Sequence, residues 1–414
     1  MIFLLLSVEI MMLGTVGIIL VYLMVLSILS LFVEKKSSFK TRELHKFAVV
    51  IPAHNEEHGI SQTLTSVRSM VFPREKFDVI VIADNCNDRT ADIARAAEAL
   101  VLERINPGLR GKGYALRWAF DRLLRDSTYE AFVVIDADSA VSPNFLEVMN
   151  FYLEQRAEVI QATDIVAPQE GPWNLEMIRI GFLLHNYVRP MGRRMLGCPT
   201  ILHGNGMCFS RAALEQIPSQ AYSLVEDVEY SLQLLLAGFP ASFAPEAVVH
   251  AIMPQQQANA RSQRIRWESG RFQLIQKHWL PLLRAAVTKK SYQYFDVFLE
   301  LIIPTLVNTV GFSILCLLIS VAATVVDPKL PMAFVLIWIG LVAAGFIHVV
   351  VGLYASDAKW YTYRALMNLP RYATWKIVLF IKSMLQGREK EWVRTTREIQ
   401  EQGEAWKSIA KKSP

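Results

Sequence analysis

Apolar and polar positions along this chain follow two rhythms. Between about residues 45 and 285, short β-branched runs alternate with stretches at helical spacing. Phe47 to Ile51 is closed by Pro52 and predicts a buried strand. Phe77 to Ala83 predicts a second, ending at Asp84, and Ala131 to Ile135 a third, ending at Asp136. Helical spacing covers His58 to Met70, Arg89 to Leu100 and Tyr114 to Leu124, the second capped by Asn87 or Asp88 and the last entered through Gly111-Lys112-Gly113. Such alternation predicts an α/β domain built on a mostly parallel sheet. Ligands bind beyond the carboxyl ends of strands in such sheets, where Asp84 and Asp136 stand. Farther on, Asn174 to Arg189 is amphipathic and runs into Arg193 and Arg194. Gly204-Asn205-Gly206 is a tight backbone element, Leu224 to Ala237 is a helix opening with Glu226-Asp227, and Ser262 to His278 is a basic, aromatic helix.

The second rhythm is unbroken hydrophobicity. Hydrophobic residues make up 52% of the 414, and the excess collects at both ends of the chain. Residues 9–33, 298–326 and 331–355 are each long enough to cross a bilayer. The first has no basic start and too long an apolar core for a cleaved signal peptide, which favours a retained anchor. Asp327-Pro328-Lys329 is a polar turn between the other two. Lys35, Lys36, Lys40 and Arg42 follow the first span, Lys289 and Lys290 precede the second, and Lys359 and Arg364 follow the third. By the positive-inside rule all these flanks face one side. The expectation is a multi-pass protein of the plasma (inner) membrane with residues 45–285 in the cytoplasm. Residues 360–386 interleave aromatics with cations, so 360–414 reads as an interfacial helix and a basic tail resting on membrane lipids. Net charge is only +5, and its clustering beside apolar spans argues against nucleic acid as partner. The four cysteines show neither metal-ligand spacing nor a disulfide framework.

Four polar motifs stand out against this background. Asp136-Ala137-Asp138 places two carboxylates at a strand end. Hard divalent cations such as Mg²⁺ or Mn²⁺ take oxygen ligands and commonly bridge carboxylate and substrate phosphate. Asp138 is the candidate metal ligand, with Asp136 toward the metal's water or a ribose; the plainer alternative is two surface aspartates closing a strand. Asp84 is a candidate for a nucleotide's base or ribose, against helix capping. Lys112, between glycines, is a candidate phosphate ligand, against a solvated loop lysine. In Glu226-Asp227, Asp227 is the candidate general base and Glu226 its partner; helix-start acids favoured by the dipole are the alternative. Gln263 and Trp267 share a helix face. Arg266 can neutralise a leaving diphosphate and Trp267 can stack on a sugar, against snorkelling at a membrane interface. Gly204, Asn205 and Gly206 join Trp267 as candidates for the acceptor side. His250, in an apolar run, reads as a buried histidine rather than a third metal ligand.

Together these residues resemble the membrane-embedded family-2 glycosyltransferases, the group of cellulose, hyaluronan, chitin and poly-N-acetylglucosamine synthases. The resemblance covers residues 45–285 and the membrane hairpin. Residues 49–57, Val-Val-Ile-Pro-Ala-His-Asn-Glu-Glu, look like the family's first strand, whose end binds uridine, which implies Pro52, Ala53 and Glu56 as nucleotide contacts. Asp84, Asp136-Ala137-Asp138, Glu226-Asp227 and Gln263-Arg264-Ile265-Arg266-Trp267 match its four motifs in order. The match implies a GT-A fold, a UDP-sugar donor, Mg²⁺ or Mn²⁺, and inversion to a β-linkage on a polysaccharide. Two departures stand out. Ala83-Asp84-Asn85 replaces the family's Asp-Asp-Gly. The membrane part is also small, so a polymer channel would need helper subunits or a second copy of the chain. The last motif also occurs in ceramide-type glucosyltransferases, which makes a membrane lipid the alternative acceptor.

Overall fold

The computed structural model describes residues 2–34, 36–167, 173–252, 257–327 and 331–375. The chain opens with α1 (Ile2–Ser30). Then come β1 (Phe47–Ala53), α2 (Ile60–Arg68), β2 (Phe77–Asp84), α3 (Thr90–Ala96), β3 (Leu100–Arg104), α4 (Lys112–Leu123), β4 (Ala131–Val134), β5 (Ser139–Val141), α5 (Phe145–Glu154) and β6 (Val159–Val166). A helical run follows: α6 (Trp173–Leu183), a π-helical turn over Leu184–Val188, and α7 (Arg189–Met195). Next are β7 (Met207–Ser210), α8 (Arg211–Gln216), α9 (Glu226–Ala237) and β8 (Ala241–Ala251). Five helices close the described chain: α10 (Gln257–Thr288), α11 (Tyr292–Ile302), α12 (Leu306–Val326), α13 (Met332–Ala355) and α14 (Trp360–Ala365).

These elements form two compact units. The larger holds an eight-stranded sheet in the order β3-β2-β1-β4-β7-β6-β8-β5. β3, β2, β1 and β4 run parallel, as do β6 and β8, whereas β7 and β5 are antiparallel to their neighbours. This is the GT-A-like, mostly parallel arrangement. The central strands are apolar throughout because both faces are covered. Val49, Ile51, Val79, Val81 and Val133 pack with Leu64, Val67, Phe145 and Met149 on one side. Ala48, Val50, Ile80, Ile82 and Phe132 pack with Ala115, Ala119, Phe120 and Leu234 on the other.

The second expected helix stops early. Glu98 turns the backbone at φ 52°, and Leu100, its expected last residue, instead pairs with Ile80 to start β3. The basic helix is longer than its pattern, running from Gln257 to Thr288 with Pro281 inside.

Among the described residues, three helices of the smaller unit are long and apolar enough to cross a membrane: Glu9–Ser30, Leu306–Val326 and Met332–Ala355. The stretch expected as one span from 298 to 326 is divided, because Pro304 cannot continue the hydrogen-bond ladder, and α11 ends at Ile302. The interior of this unit is stitched by small and polar residues, as suits helices without a hydrophobic drive to associate. Glu9 accepts from Trp338 Nε1 at 2.8 Å and also from Ser320 Oγ. Ser27 Oγ lies 2.6 Å from His348 Nδ1. Residues 176–198, read from sequence as part of the 45–285 stretch, belong to this unit. Gly192 lies where any Cβ would strike the Leu26 backbone. Arg189 reaches Glu300 at 3.2 Å, both buried. Of the expected 360–414 segment, residues 376–414 lie outside the described residues.

Candidate active site

Three strand ends and two helix starts of the larger unit supply the candidate side chains. At the end of β2, Asp84 is buried and its carboxylate takes an ion pair from Arg104, at the end of β3. Arg104 also donates to the Leu109 carbonyl at 2.7 Å. Ahead of α3 it is Asp88 that accepts from Thr90 N–H, at 3.0 Å, while the Asp84 carboxylate is turned to Arg104. From the β1 end, His54 Nδ1–H donates to the Asp84 carbonyl at 2.7 Å. Pro52 and Ala53 sit in register with Ile82 and Ala83. Glu56 N–H donates to Thr90 Oγ1 at 2.7 Å. The 52–56 segment therefore lies beside the loop that follows Asp84.

Just past β4, Asp136 meets Lys112, the first residue of α4. The Lys112 ammonium bonds both the Asp136 carboxylate and the Gly204 carbonyl. Burial pulls the Lys112 pKa down, but Asp136, Glu226 and Asp227 outweigh it and hold it above the usual lysine value. Asp138 is half-buried and accepts from Ser139 Oγ at 3.3 Å.

Asn205 is the hub of this corner. Its Oδ1 accepts from Asp136 N–H at 3.0 Å, and its Nδ2 donates to Ser139 Oγ at 2.9 Å and to Asp164 Oδ1 at 3.4 Å. Gln161 clasps the loop from β6, donating to the Asn205 carbonyl at 2.8 Å and accepting from His203 N–H at 2.9 Å. Gly204 (φ 81°) and Gly206 (φ 70°) adopt left-handed backbone that favours glycine. A Cβ on Gly204 would stand 2.8 Å from Asp227 Oδ2, and one on Gly206 would stand 2.7 Å from Val249. The loop thus backs directly onto Asp227.

Asp227 lies in the first turn of α9, its Oδ1 accepting from Val228 N–H at 2.8 Å. Burial pushes its carboxyl above the ordinary aspartate range and Asp136 adds to this, against the pull of Val228 N–H and Lys112. Glu226 lies beside it and is felt by Lys112. Two turns of chemistry support this helix start. Glu229 accepts from Tyr222 and Ser223 N–H at 3.2 and 3.1 Å, and Lys277 of α10 reaches it at 2.6 Å. Gly270 of α10 packs on Val225, where a Cβ would stand 2.9 Å from the valine methyl. Trp267 lies one turn before that contact. Gln263 and Arg266 fall in α10, and their side chains lie outside the described residues. His250 stands half-buried on β8, opposite Ala140 of β5.

The structure therefore brings together Lys112, Asp136, Gly204, Asn205 and Asp227, with Asp84 at the end of β2, separated from β4 by β1. Sequence reasoning missed Arg104, Gln161 and Asp164. Arg104 belongs to β3, a strand the sequence reading did not contain. Asp164 and Gln161 reach the site only because β6 pairs between β7 and β8, a long-range fact without a local signature. Among the described residues no three histidine, cysteine or carboxylate side chains converge as a ready metal cage.

Comparison with known proteins agrees with this fold. Residues 45–270 match the model of a "Glycosyltransferase like family 2" domain. A probable glycosyltransferase, YdaM, of Bacillus subtilis is 26% identical over 270 residues, covering 62% of each chain. The poly-beta-1,6-N-acetyl-D-glucosamine synthase of Staphylococcus aureus is 21% identical over 276 residues, covering 65% of this chain and 64% of that one. The chain thus spans less than two thirds of the length of these relatives. Among solved structures, the mannosyltransferase PcManGT from Pyrobaculum calidifontis, in complex with GDP-Man and Mn²⁺, superposes with a TM-score of 0.53 at 17% identity. That match covers 84% of this chain and 98% of that one, and it shows the fold. With the motif order, the sheet and a family match over more than half its length, the chain belongs to glycosyltransferase family 2.

Proposed function

We propose that this chain is an inverting transferase that moves a sugar from a UDP-sugar to a growing polysaccharide, with a β-linkage. It would act at the cytoplasmic face of the plasma (inner) membrane. The observation that carries this reading is the bridge made by Lys112. Its ammonium touches Asp136 and the carbonyl of Gly204, the residue that backs Asp227. Donor-side charge and a candidate base thus meet at one point.

In this reading Asp84, Pro52, Ala53 and Glu56 hold the nucleotide, and Lys112, Gln263 and Arg266 the diphosphate. Asp227 takes the proton of an acceptor hydroxyl as its oxygen bonds the anomeric carbon and the bond to the diphosphate breaks. Its raised pKa makes it a stronger base than a free aspartate. Glu226 orients it, and Trp267 with the 204–206 loop borders the acceptor. Asp136 and Asp138 suit a divalent cation, since Mg²⁺ sites commonly combine one or two carboxylates with substrate phosphate and water. When bound, Mg²⁺ or Mn²⁺ would add positive charge to the leaving diphosphate. The Mn²⁺ of the mannosyltransferase complex and the staphylococcal polysaccharide synthase support the metal and the polymer respectively. The alternative acceptor is a membrane lipid. The observation in its favour is that only three membrane-length helices occur among the described residues, few for a polymer channel without helper subunits or a homo-oligomer.

The test is turnover by the detergent-purified protein with a panel of UDP-sugars, GDP-mannose and Mn²⁺, following nucleoside diphosphate release and product size. High-molecular-weight product supports polymerisation; a small, organic-soluble product with added lipid replaces it by the lipid reading; activity only with GDP-mannose overturns the donor. Asp227→Asn is expected to cut turnover about 100-fold or more while UDP binding persists. Full activity in that variant would remove Asp227 as base.

A further inference from the structure

The face of α4 just after Lys112 grips the loop that leads to Glu226-Asp227. Three consecutive contacts make the grip. Gly113 lies so close to the Ala221 carbonyl that a Cβ would collide with it. Tyr114 stacks on Tyr222, with ring centroids 4.3 Å apart and planes 10° from parallel. Arg117 Nη1 donates to the Ser219 carbonyl at 3.2 Å. The residues at 113, 114 and 117 share one helix face. On the far side, the same loop is fixed to the start of α9, since Glu229 accepts from Tyr222 and Ser223 N–H. Tyr222 is therefore held twice, by its ring to α4 and by its backbone to α9. Tyr222 stays 44% exposed, so core burial does not account for the stack.

From this geometry we infer that the Tyr114–Tyr222 stack is a positioning device that sets the distance between Lys112 and the Glu226-Asp227 pair. The inference rests on the transferase reading above. Lys112 and Asp227 lie on separate helices and come from sequence positions more than a hundred residues apart. A transferase needs them in one geometry at the moment of transfer, because sub-ångström misplacement of reacting groups is costly. The stack is the ring-to-ring link in this seam, and its aromatic area rather than its hydroxyl makes the contact. Tyr222 is a positioning residue, acting through the loop on the base, with no part in proton transfer.

The experiment compares wild type, Tyr222→Ala, Tyr222→Phe and Tyr114→Ala in detergent. For each, UDP affinity is measured by calorimetry with Mn²⁺, together with the kcat and KM of sugar transfer. Loss of the stack should lower kcat roughly 10- to 100-fold in both alanine variants. UDP affinity and donor KM should stay near wild type, and Tyr222→Phe should restore kcat. Two results overturn the inference: alanine variants with wild-type kcat, or alanine variants whose UDP affinity falls in step with kcat, the sign of general damage. Failure of Tyr222→Phe to recover also overturns it, since the stack would then not be what matters. Wild-type protein that turns over no nucleotide sugar overturns the transferase reading itself, whereas an active wild type with an indifferent Tyr222 removes only the seam.

Discussion

Asp164 has a buried carboxyl in a corner that already holds Asp136, Asp138 and Asp227. Burial raises its pKa well above the ordinary aspartate value, and the carboxylates around it, Asp136 first, push the same way, against Lys112. The folded chain therefore holds this proton more tightly than the unfolded chain does. For a group of that kind the sign is fixed: stability is greatest below the unfolded pKa and is lost as pH climbs through the raised folded value. Asp164→Asn keeps the acceptor for Asn205 and removes the ionisation. It should raise the melting temperature at about pH 7 to 8 more than at about pH 5, as thermal unfolding in matched buffers would show. A variant equally or less stable across that range would mean that Asp164 is not held protonated. No local pattern in Gln161-Ala162-Thr163-Asp164 marks this residue, because its surroundings come from β7, β8 and the 203–206 loop. Asp84 and Asp136 were legible, since each ends an apolar run whose length and composition already say buried strand.

The elements differ in how much of themselves they announce. β1, β2 and β4 are continuous apolar runs because helices cover both faces, and that needs no tertiary knowledge to read. β3 is short, begins with an exposed Leu100, and follows a helix at a pitch that simply continues; only pairing with β2 makes it a strand. The split between α11 and α12 is written plainly at Pro304, yet hydropathy alone runs through it. The placement of α10 depends on Gly270 against Val225 and on Lys277 with Glu229, contacts invisible to periodicity. Gly270→Leu would force α10 away from the loop that leads to the base. Transfer should drop roughly 10- to 100-fold with UDP affinity retained, read as kcat against calorimetric binding. An unchanged kcat would show that α10 and the base are placed independently.

At the scale of the whole molecule, stability is distributed differently in the two units. The sheet unit rests on close-packed apolar residues, so Ile51→Ala should cost about 2–5 kcal/mol. The helical unit rests on small residues and paired polar groups. Gly192 leaves no room for a side chain against Leu26, and overpacking of this sort typically costs about 1–3 kcal/mol. Gly192→Leu should therefore lower the thermal stability of the detergent-purified protein, while Gly181→Leu, where a Cβ meets nothing, should be tolerated. Equal losses in both variants would mean that the close approach of α7 to α1 contributes nothing.

Residues 176–198 have one more consequence, and it concerns the order of assembly. β4 ends at Val134 and its sheet neighbour β7 begins at Met207, and between them the chain leaves to build part of the other unit. The sheet is not a contiguous cassette: β1 to β6 are synthesised before that excursion and β7 and β8 after it. Joining β7 to β4 closes a long loop, the kind of contact that slows folding. A fragment cut to residues 45–285 would carry Gly192 without Leu26 and Arg189 without Glu300. The excursion turns two units that look separable into a single synthetic object, in which the interior strands β7 and β8 can be laid down only after the chain has returned.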